Sequence, residues 1–222
     1  MIRLAAVNVG TPTVLATTRG ERVWSGIRKA PVDPSAALWL STVNLSGDGQ
    51  ADLEVHGGPD KAVYAYPSEH LPLWAAELEE PDGLGPAAFG ENLGTVGVLE
   101  ADVRIGDVWS WGAAILQVSQ PRWPCFKLAL HRGRPDIQAR LRGSGRTGWY
   151  LRVLEAGEVP AAGPIEVVAT DPVGVRGADA HRAMADVHLD DPELARTVAH
   201  HPALAAQWSD PLLDRLRRAA VG

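Results

Sequence analysis

Short apolar runs separated by glycine, proline and polar turns make up most of the chain. Ile2–Val9 alternates loosely between apolar and polar positions and stops at Gly10-Thr11-Pro12, and Ala114–Ser119 shows a similar pattern. Period-two alternation bounded by turn residues is typical of half-buried β-strands. The pattern therefore predicts a mainly β region from residue 1 to about residue 170. Further strands are expected at Arg22–Ile27, Leu38–Leu45, Ala62–Tyr66, Val103–Gly112, Trp149–Leu154 and Ile165–Ala169.

Helical patterns occur twice inside this region, the second as a short helix over Pro135–Arg142, and again at the C-terminal end. Ser68 can cap a helix over Glu69–Glu80, whose apolar residues recur three and four positions apart. From about residue 175 the pattern is helical, and Asp191-Pro192 and Asp210-Pro211 each place a capping aspartate before a proline. A helical unit of under fifty residues has a marginal core of its own. It is expected to pack on the β region or on a partner, which allows a homodimer. His200-His201 is expected to be exposed to solvent.

Composition and charge exclude several classes of protein. Lys+Arg number 21 against Asp+Glu 27, which gives a net charge of −6 and argues against a general nucleic-acid binder. A single cysteine rules out an internal disulfide and fits a reducing compartment. No apolar run approaches the roughly 18 residues that a membrane span needs. The expectation is a cytoplasmic protein that binds neither nucleic acid nor membrane.

The single cysteine, Cys125, lies in the stretch Gln120–Leu128, directly after the predicted strand Ala114–Ser119. Two prolines stiffen this stretch and keep the residues before them out of helix. Arg122 and Lys127 flank the thiol, and nearby positive charge favours the nucleophilic, metal-binding thiolate. Residue chemistry leaves two alternatives open: a reactive or metal-binding cysteine, or a buried cysteine that packs as a small apolar side chain.

A second informative stretch, His56–Lys61, leads into the predicted strand Ala62–Tyr66. Gly57 and Gly58 let backbone N–H groups approach an anion closely, and Lys61 adds a point charge. The same residues are good turn formers in any protein, so a plain turn is the alternative.

Two more loops carry polar groups beside glycines. Glu91 and Asn92 follow Gly90 and either hydrogen-bond the N–H groups of a heterocycle or serve as ordinary loop residues. Arg146 lies in the glycine-rich run Gly143–Gly148, a second candidate anion cradle. This run contains no P-loop or dinucleotide fingerprint.

In their order along the chain, these stretches resemble the MOSC domain, named for the C-terminal part of molybdenum cofactor sulfurase. The branch they are most similar to is the bacterial one linked to resistance against 6-N-hydroxylaminopurine. The resemblance implies a MOSC-type β-barrel domain at residues 1–172 and a C-terminal three-helix domain at residues 173–222. The stretches that carry it are Val55–Pro67, Gly90–Leu93, Gln120–Leu128 and Ser144–Tyr150.

The resemblance also implies a cofactor, molybdopterin with its molybdenum, and Cys125 as the protein ligand to the metal. Soft thiolates suit such a metal. Candidates for the cofactor phosphate are Gly57, Gly58, Lys61 and Arg146. Glu91 and Asn92 are candidates for contacts to the pterin or to the substrate, and Arg122 and Trp123 for the approach to the metal.

The implied reaction is the reduction of N-hydroxylated substrates, such as hydroxylaminopurines, hydroxylamines or amidoximes. In it, Cys125 acts at the metal and Glu91 or His56 relays protons. The chain has no iron–sulfur or flavin pattern, so a separate reductase is expected to deliver the electrons.

Two other functions use the same residues. One is a non-enzymatic protein that carries molybdenum cofactor, or sulfur as a Cys125 persulfide. The other is a metal-free transferase or hydrolase with Cys125 as nucleophile and His56 or His131 as base.

Overall fold

The computed structural model describes residues 1–18, 20–51 and 57–220. Within this part of the chain the strands are β1 (Ile2–Val9), β2 (Thr13–Thr18), β3 (Glu21–Ser25), β4 (Ala30–Pro31), β5 (Ala37–Leu40), β6 (Val63–Pro67), β7 (Leu93–Val96), β8 (Val108–Trp111), β9 (Ala114–Pro121), β10 (Trp149–Glu155), β11 (Gly157–Pro160) and β12 (Pro164–Ala169). The helices are α1 (His70–Glu77), α2 (Phe126–Arg132), α3 (Ile137–Ser144), α4 (Gly177–Ala185), α5 (Pro192–Ala199) and α6 (Ala206–Ala219).

Seven strands close into a barrel in the order β12-β8-β9-β10-β6-β7-β1, and β4 extends β1 at its far end. The barrel closes where Ile2 of β1 lies opposite Ile165 of β12. Neighbouring strands run antiparallel except β6 and β7, which are parallel. Two short ribbons, β2 with β3 and β5 with β11, stand beside the barrel. The prediction of a mainly β barrel followed by helices is confirmed.

The barrel interior explains the alternation seen along the strands. On β9, Ala114, Leu116 and Val118 are fully buried, and the residues between them are half-buried. Trp109 and Trp149 meet edge to face with their ring centroids 5.9 Å apart, and both are fully buried. Each such aromatic side chain removes about 150–250 Å² from water, so these positions contribute heavily to the stability of the barrel.

Some predicted elements are shorter in the structure. The strand predicted from Val103 begins only at Val108 because Arg104–Asp107 forms a turn, in which the Arg104 N–H donates to Asp107 Oδ2. Gly106 in this turn has φ +90°, a conformation that favours glycine. The helix predicted over Glu69–Glu80 is confirmed over the range of α1, although no side chain caps it.

The C-terminal helices α4 to α6 pack on the barrel and share its apolar core. Backbone hydrogen bonds join the two parts: the Ile105 N–H donates to the Val175 carbonyl at 2.9 Å, and the Ala205 N–H donates to the Ser119 carbonyl at 3.0 Å. No helix in the described residues is both long and apolar enough to cross a membrane.

The expected exposure of His200-His201 is wrong for the second histidine. His201 is 4% exposed, and its Nε2 lies 3.1 Å from Asp171 Oδ1. Asp171 follows the last barrel strand, so this pair fixes the helical part against the barrel. His200 remains exposed.

The expectation that Asp210-Pro211 begins a helix is also wrong, because Pro211 lies inside α6. Proline has no N–H, so the Gln207 carbonyl loses its usual helical partner. Trp208 and Leu212 lie one turn apart on the same face and are 2% and 0% exposed. Burial of these two large side chains outweighs the missing hydrogen bond and keeps the helix continuous.

Candidate functional site

A cavity of about 610 Å³ lies between the barrel and the C-terminal helices. One wall is the cysteine segment, defined as Gln120–Lys127, where β9 ends and α2 begins. Another part of the lining comes from α4 and α6, a contribution that no sequence motif indicated. The cysteine segment contributes Gln120, Arg122, Trp123, Cys125 and Lys127, and the helices contribute Met184, Gln207, Trp208 and Pro211.

Cys125 is a half-buried cysteine at the residue that precedes α2. Its backbone is extended, with φ −116° and ψ 172°, as expected from the prolines around it. Its carbonyl accepts a hydrogen bond from the Leu128 N–H at 3.0 Å, which begins the helix. The structure therefore places the thiol in the lining of the cavity, on a short and stiff stretch of chain.

Arg122 anchors the cysteine segment inside the barrel wall. It is 6% exposed, and its Nη1 donates to the Phe89 carbonyl at 2.7 Å and to the Tyr64 hydroxyl at 3.0 Å. Burial disfavours its charge, but the neighbouring Tyr64, Tyr150 and Cys125 outweigh this effect and raise the pKa of Arg122. Arg122 is therefore a fixed positive charge close to the thiol.

The described part of the cavity lining carries more positive than negative charge although the whole chain is acidic. Among the described residues, four cationic side chains and one carboxylate line it. This distribution favours an anionic ligand. The cations are Lys29, Lys61, Arg122 and Lys127, and the carboxylate is Asp48.

Lys29 and Asp48 form an ion pair with side chains only 7% and 4% exposed. Asp48 Oδ1 also accepts from the Gly10 N–H at 2.9 Å, and its Oδ2 accepts from Asn92 Nδ2 at 2.9 Å. Burial lowers the pKa of Lys29, and Asp48 partly offsets this effect. The pair is thus a buried proton-bearing group in the cavity wall.

Asn92 lines the cavity, but its side chain is already bonded to protein. Its Oδ1 accepts from the Tyr64 N–H at 3.1 Å, and its Nδ2 also donates to the Asn8 carbonyl at 3.2 Å. Asn92 therefore holds Asp48 and two strands in place. Its amide groups bond to protein atoms, whereas the sequence suggested contacts to a ligand.

Gln120 is a polar residue of the lining whose side-chain oxygen has no hydrogen-bond partner among the described residues. It is 2% exposed, and its Oε1 accepts no hydrogen bond within the described part of the chain. Its Nε2 makes a long contact of 3.4 Å to the Pro121 carbonyl. A buried acceptor without a donor is costly, so this geometry fits a ligand that brings an N–H or O–H group.

The two tyrosines of the cavity keep their protons at neutral pH. Burial of the Tyr150 hydroxyl raises its pKa, and Cys125 adds to the rise while Arg122 opposes it. Burial likewise raises the pKa of Tyr64. Tyr150 is half-buried and also lies under Lys61, whose Nζ is 5.8 Å from the ring centroid. Tyr150 thus offers an uncharged O–H beside the cations.

Lys61, a candidate for the cofactor phosphate, lies in the cavity lining, whereas Gly57 and Gly58 do not. The Gly58 N–H donates to Gln50 Oε1 at 2.8 Å, which withdraws it from an anion. The Lys61 ammonium contacts Gln207, which joins the turn before β6 to α6. His56 lies outside the described residues, so its predicted role stays a prediction.

Glu91 and Arg146 lie outside the described cavity lining, contrary to their predicted roles. Glu91 is 1% exposed, and its carboxylate accepts from the N–H groups of Ala87 and Phe89 at 2.7 and 3.0 Å. Burial raises its pKa, opposed by these hydrogen bonds. Arg146 binds both carboxylate oxygens of Glu77 at 2.7 and 2.8 Å. Both side chains therefore hydrogen-bond to other groups of the protein.

Several lining residues were missed by the sequence analysis. Lys29 and Asp48 lie in ordinary turn-rich stretches, and only the closure of the barrel brings them together. The C-terminal residues carried an apolar helical pattern that indicates packing and gives no sign of a cavity. Within the described part of the chain, no three His, Cys, Asp or Glu side chains form a metal-binding group.

Comparisons with known proteins agree with this architecture. The chain matches the MOSC domain over residues 52–173. It is 44% identical over 164 residues to the protein YiiM of Escherichia coli (strain K12), covering 73% of this chain and 71% of that protein. The crystal structure of YiiM from Geobacillus stearothermophilus has a TM-score of 0.80 and 31% identity, covering 97% of this chain and all of that one.

A longer relative adds one observation. The chain is 38% identical over 142 residues to a protein of Gibberella moniliformis (strain M3125 / FGSC 7600) named reductase. The match covers 63% of this chain but only 25% of that protein. Most of the fungal protein therefore lies outside the likeness.

Proposed function

The chain belongs to the MOSC domain family, and from this premise we propose that its cavity holds a molybdenum–pterin cofactor for the reduction of N-hydroxylated substrates. The observation that carries the proposal is the composition of the cavity. The single cysteine of the chain shares it with four cationic side chains and an unpartnered buried acceptor. Each of these features suits a different part of such a cofactor.

The residues present fit this group on chemical grounds. A thiolate at Cys125 is a soft ligand of the kind that thiophilic metals prefer. The lysines Lys61 and Lys127 supply positive charge for a phosphate, and Arg122 keeps the surroundings of the thiol positive. Gln120 Oε1 accepts from an N–H of the pterin or of the substrate. A volume of about 610 Å³ lies within the range of about 300–1,000 Å³ that is usual for small-molecule sites.

The proposed reaction converts R–NH–OH, two electrons and two protons into R–NH₂ and water. The cofactor, when bound, supplies the two-electron chemistry at the N–O bond. The chain's part is to orient the substrate and to deliver protons to the departing oxygen. Lys29 Nζ is the group in the lining best suited to release a proton, because burial lowers its pKa. The Tyr150 hydroxyl stays protonated and can donate a hydrogen bond to the same oxygen.

The electrons are proposed to come from a separate reductase. The described chain is a small barrel with helices, and its cavity suits one cofactor. The fungal relative named reductase supports this division, because three quarters of its length lie outside the matched region. In that protein a domain of this type belongs to a longer chain, whereas here the donor is proposed to be a second protein.

Expression in cells that synthesise molybdenum cofactor tests the proposal. Wild type and Cys125→Ser are purified side by side, and molybdenum and released pterin are quantified. Each protein is then supplied with a chemically reduced dye and an N-hydroxylated base. We expect near-stoichiometric molybdenum and turnover in wild type, and loss of turnover in Cys125→Ser.

Two results would contradict the proposal in different ways. Molybdenum and pterin absent from wild type would exclude cofactor binding. Full occupancy without turnover of any N-hydroxylated compound would favour a protein that carries the cofactor and catalyses no reduction.

A further inference from the structure

The chain around Cys125 is held from two directions. On the barrel side, Arg122 is fixed by the Phe89 carbonyl and the Tyr64 hydroxyl. On the helical side, Arg142 Nη2 of α3 donates to the Pro124 carbonyl at 2.8 Å. That carbonyl belongs to the peptide group directly before Cys125.

Three helices meet at Trp123, two residues before the thiol. Its ring centroid lies 5.4 Å from the His181 ring on α4 and 5.9 Å from the Trp208 ring on α6. The Arg142 guanidinium lies over the same ring, 5.0 Å from the centroid. His181 and Trp208 are 6% and 2% exposed, so these contacts are well packed.

Arg142 links this cluster to the cysteine in a second way. Its own carbonyl lies 2.8 Å from His181 Nε2, which must carry the proton because a carbonyl only accepts. The arginine thus joins α3 to α4 through its backbone and joins both helices to the cysteine segment through its side chain.

The torsion angles explain why this contact matters for the thiol. The ring of Pro124 already fixes its φ, so ψ is the soft torsion that remains at Pro124. The direction of the Pro124 carbonyl follows this ψ, and the hydrogen bond from Arg142 holds that carbonyl. Both backbone torsions of the residue directly before Cys125 are therefore constrained.

We propose that Arg142 is a positioning residue for Cys125, through which the C-terminal helices help to aim the thiol into the cavity. The orientation of the Cys125 thiol is a property of the protein without cofactor. Only the role given to that orientation, to present the thiolate to a metal, rests on the proposed function. The exposed Arg140 of the same helix serves as the comparison, since its hydrogen bond goes to Asp136 and not to the cysteine segment.

The single cysteine makes the test direct, because a thiol reagent reports on Cys125 alone. The rate of reaction of cofactor-free protein with an aromatic disulfide reagent is measured from pH 5 to pH 10. The profile yields two quantities: the midpoint, which reports the thiol pKa, and the plateau rate, which reports access to the ionised thiol. The variants are Arg142→Met, Arg142→Lys and the control Arg140→Met, each checked for wild-type circular dichroism.

Loss of this hydrogen bond should loosen the cysteine segment and raise the plateau rate of Arg142→Met by about three- to tenfold. Arg142→Lys keeps a donor and a cation and should fall between this variant and wild type. Arg140→Met should keep the wild-type plateau, because it removes a charge from the same helix without touching the cysteine segment.

Two outcomes would overturn the inference. An unchanged plateau in both Arg142 variants would show that the contact does not constrain the thiol. A shifted midpoint with an unchanged plateau would show that Arg142 acts only through its charge on the thiol pKa and does not position the thiol. Since cofactor is absent throughout, failure of the proposed function would leave these results intact.

Discussion

Two segments with similar sequence features have different fates in the fold. The cysteine segment (Gln120–Lys127) and the glycine segment (Gly145–Gly148) both combine turn-forming residues with an arginine, and both were predicted to contact the cofactor. The first lines the cavity. The second lies outside the described lining and is bonded into the barrel: the Gly148 N–H donates to Glu100 Oε1 at 2.8 Å, and the Thr147 carbonyl accepts from the Tyr64 hydroxyl at 2.8 Å.

The comparison indicates that the polar groups of a loop are available to a ligand only when other protein groups do not already bond to them. Arg146 is neutralised by Glu77 and stacks 3.9 Å from the centroid of the Trp74 ring. Gln120, by contrast, keeps a buried acceptor with no donor in the described chain. Substitutions in and around the two segments should therefore have different effects.

The glycine segment should be the more sensitive of the two to added bulk. Gly148 has φ +67°, and a Cβ there would lie 2.3 Å from the Ala65 carbonyl oxygen. We expect Gly148→Ala to lower the free energy of unfolding by about 3 kcal/mol or more, from backbone strain and overpacking together. Chemical denaturation measures this loss.

Gly133→Ala is the matched control, with φ +65° and no atom within 4 Å of the added Cβ. It should lose only the strain contribution of about 1–2 kcal/mol. Equal losses at the two positions would show that the glycine segment is not held by its packing against β6.

Substitution of the two candidate phosphate ligands, Lys61 and Arg146, should weaken cofactor binding in the first case and lower stability in the second. Lys61→Gln removes a cation from the cavity and should weaken cofactor binding about tenfold, the effect of about 1.4 kcal/mol. Arg146→Gln should leave binding unchanged and lower the free energy of unfolding by about 1 kcal/mol, because it breaks a partly exposed ion pair and a stacking contact. Titration of cofactor-free protein and denaturation measure the two effects. The reverse assignment would refute the contrast.

Removal of the unpartnered acceptor should weaken cofactor retention without destabilising the fold. Gln120→Leu eliminates a buried oxygen that has no donor, so the cofactor-free protein should be as stable as wild type or up to about 1 kcal/mol more stable. The measurements are denaturation of the cofactor-free protein and pterin content after expression.

Gln117→Leu on the same strand is the control. Gln117 Oε1 accepts from Arg152 Nη1 at 3.0 Å, so its loss should lower stability and leave pterin content unchanged. A destabilised Gln120→Leu with normal pterin content would indicate that Gln120 is structural.

The histidine between the two segments should make stability depend on pH. Burial lowers the pKa of His181 below 6.5, whereas in the unfolded chain it titrates near 6.5. The unfolded state therefore binds the proton first as pH falls, so stability is lost below about pH 6.5, at most about 1.4 kcal/mol per pH unit. Above that pH both states are neutral at this residue and the effect disappears.

His181→Gln, which cannot gain this proton, isolates the effect from other titrating groups. The stability difference between wild type and this variant should shrink from pH 7.5 to pH 5.5, as measured by urea denaturation at each pH. A difference that stays constant over this range would show that His181 is not held neutral.

Local patterns predicted the fold class well and the site only in part. Local strand patterns identified six of the seven barrel strands and missed β7. The prolines around Cys125 predicted its extended backbone, because this is an effect of neighbouring residues. The same reasoning placed a helix start at Asp210-Pro211, where the burial of Trp208 and Leu212 prevails over the local signal. It also assigned Glu91 and Arg146 to ligands, because a sequence does not show which partners a side chain will find.

What the sequence by itself determined is the set of groups whose chemistry does not depend on distant residues: a lone cysteine on a stiff segment, paired glycines in a turn, and strands of alternating burial. The tertiary structure alone decided which of these groups meet. Closure of β1 on β12 and packing of α4 and α6 bring Lys29, Asp48 and Gln120 to the cavity that holds Cys125. The physical reason is that hydrogen-bond satisfaction and burial depend on contacts between residues far apart in the chain.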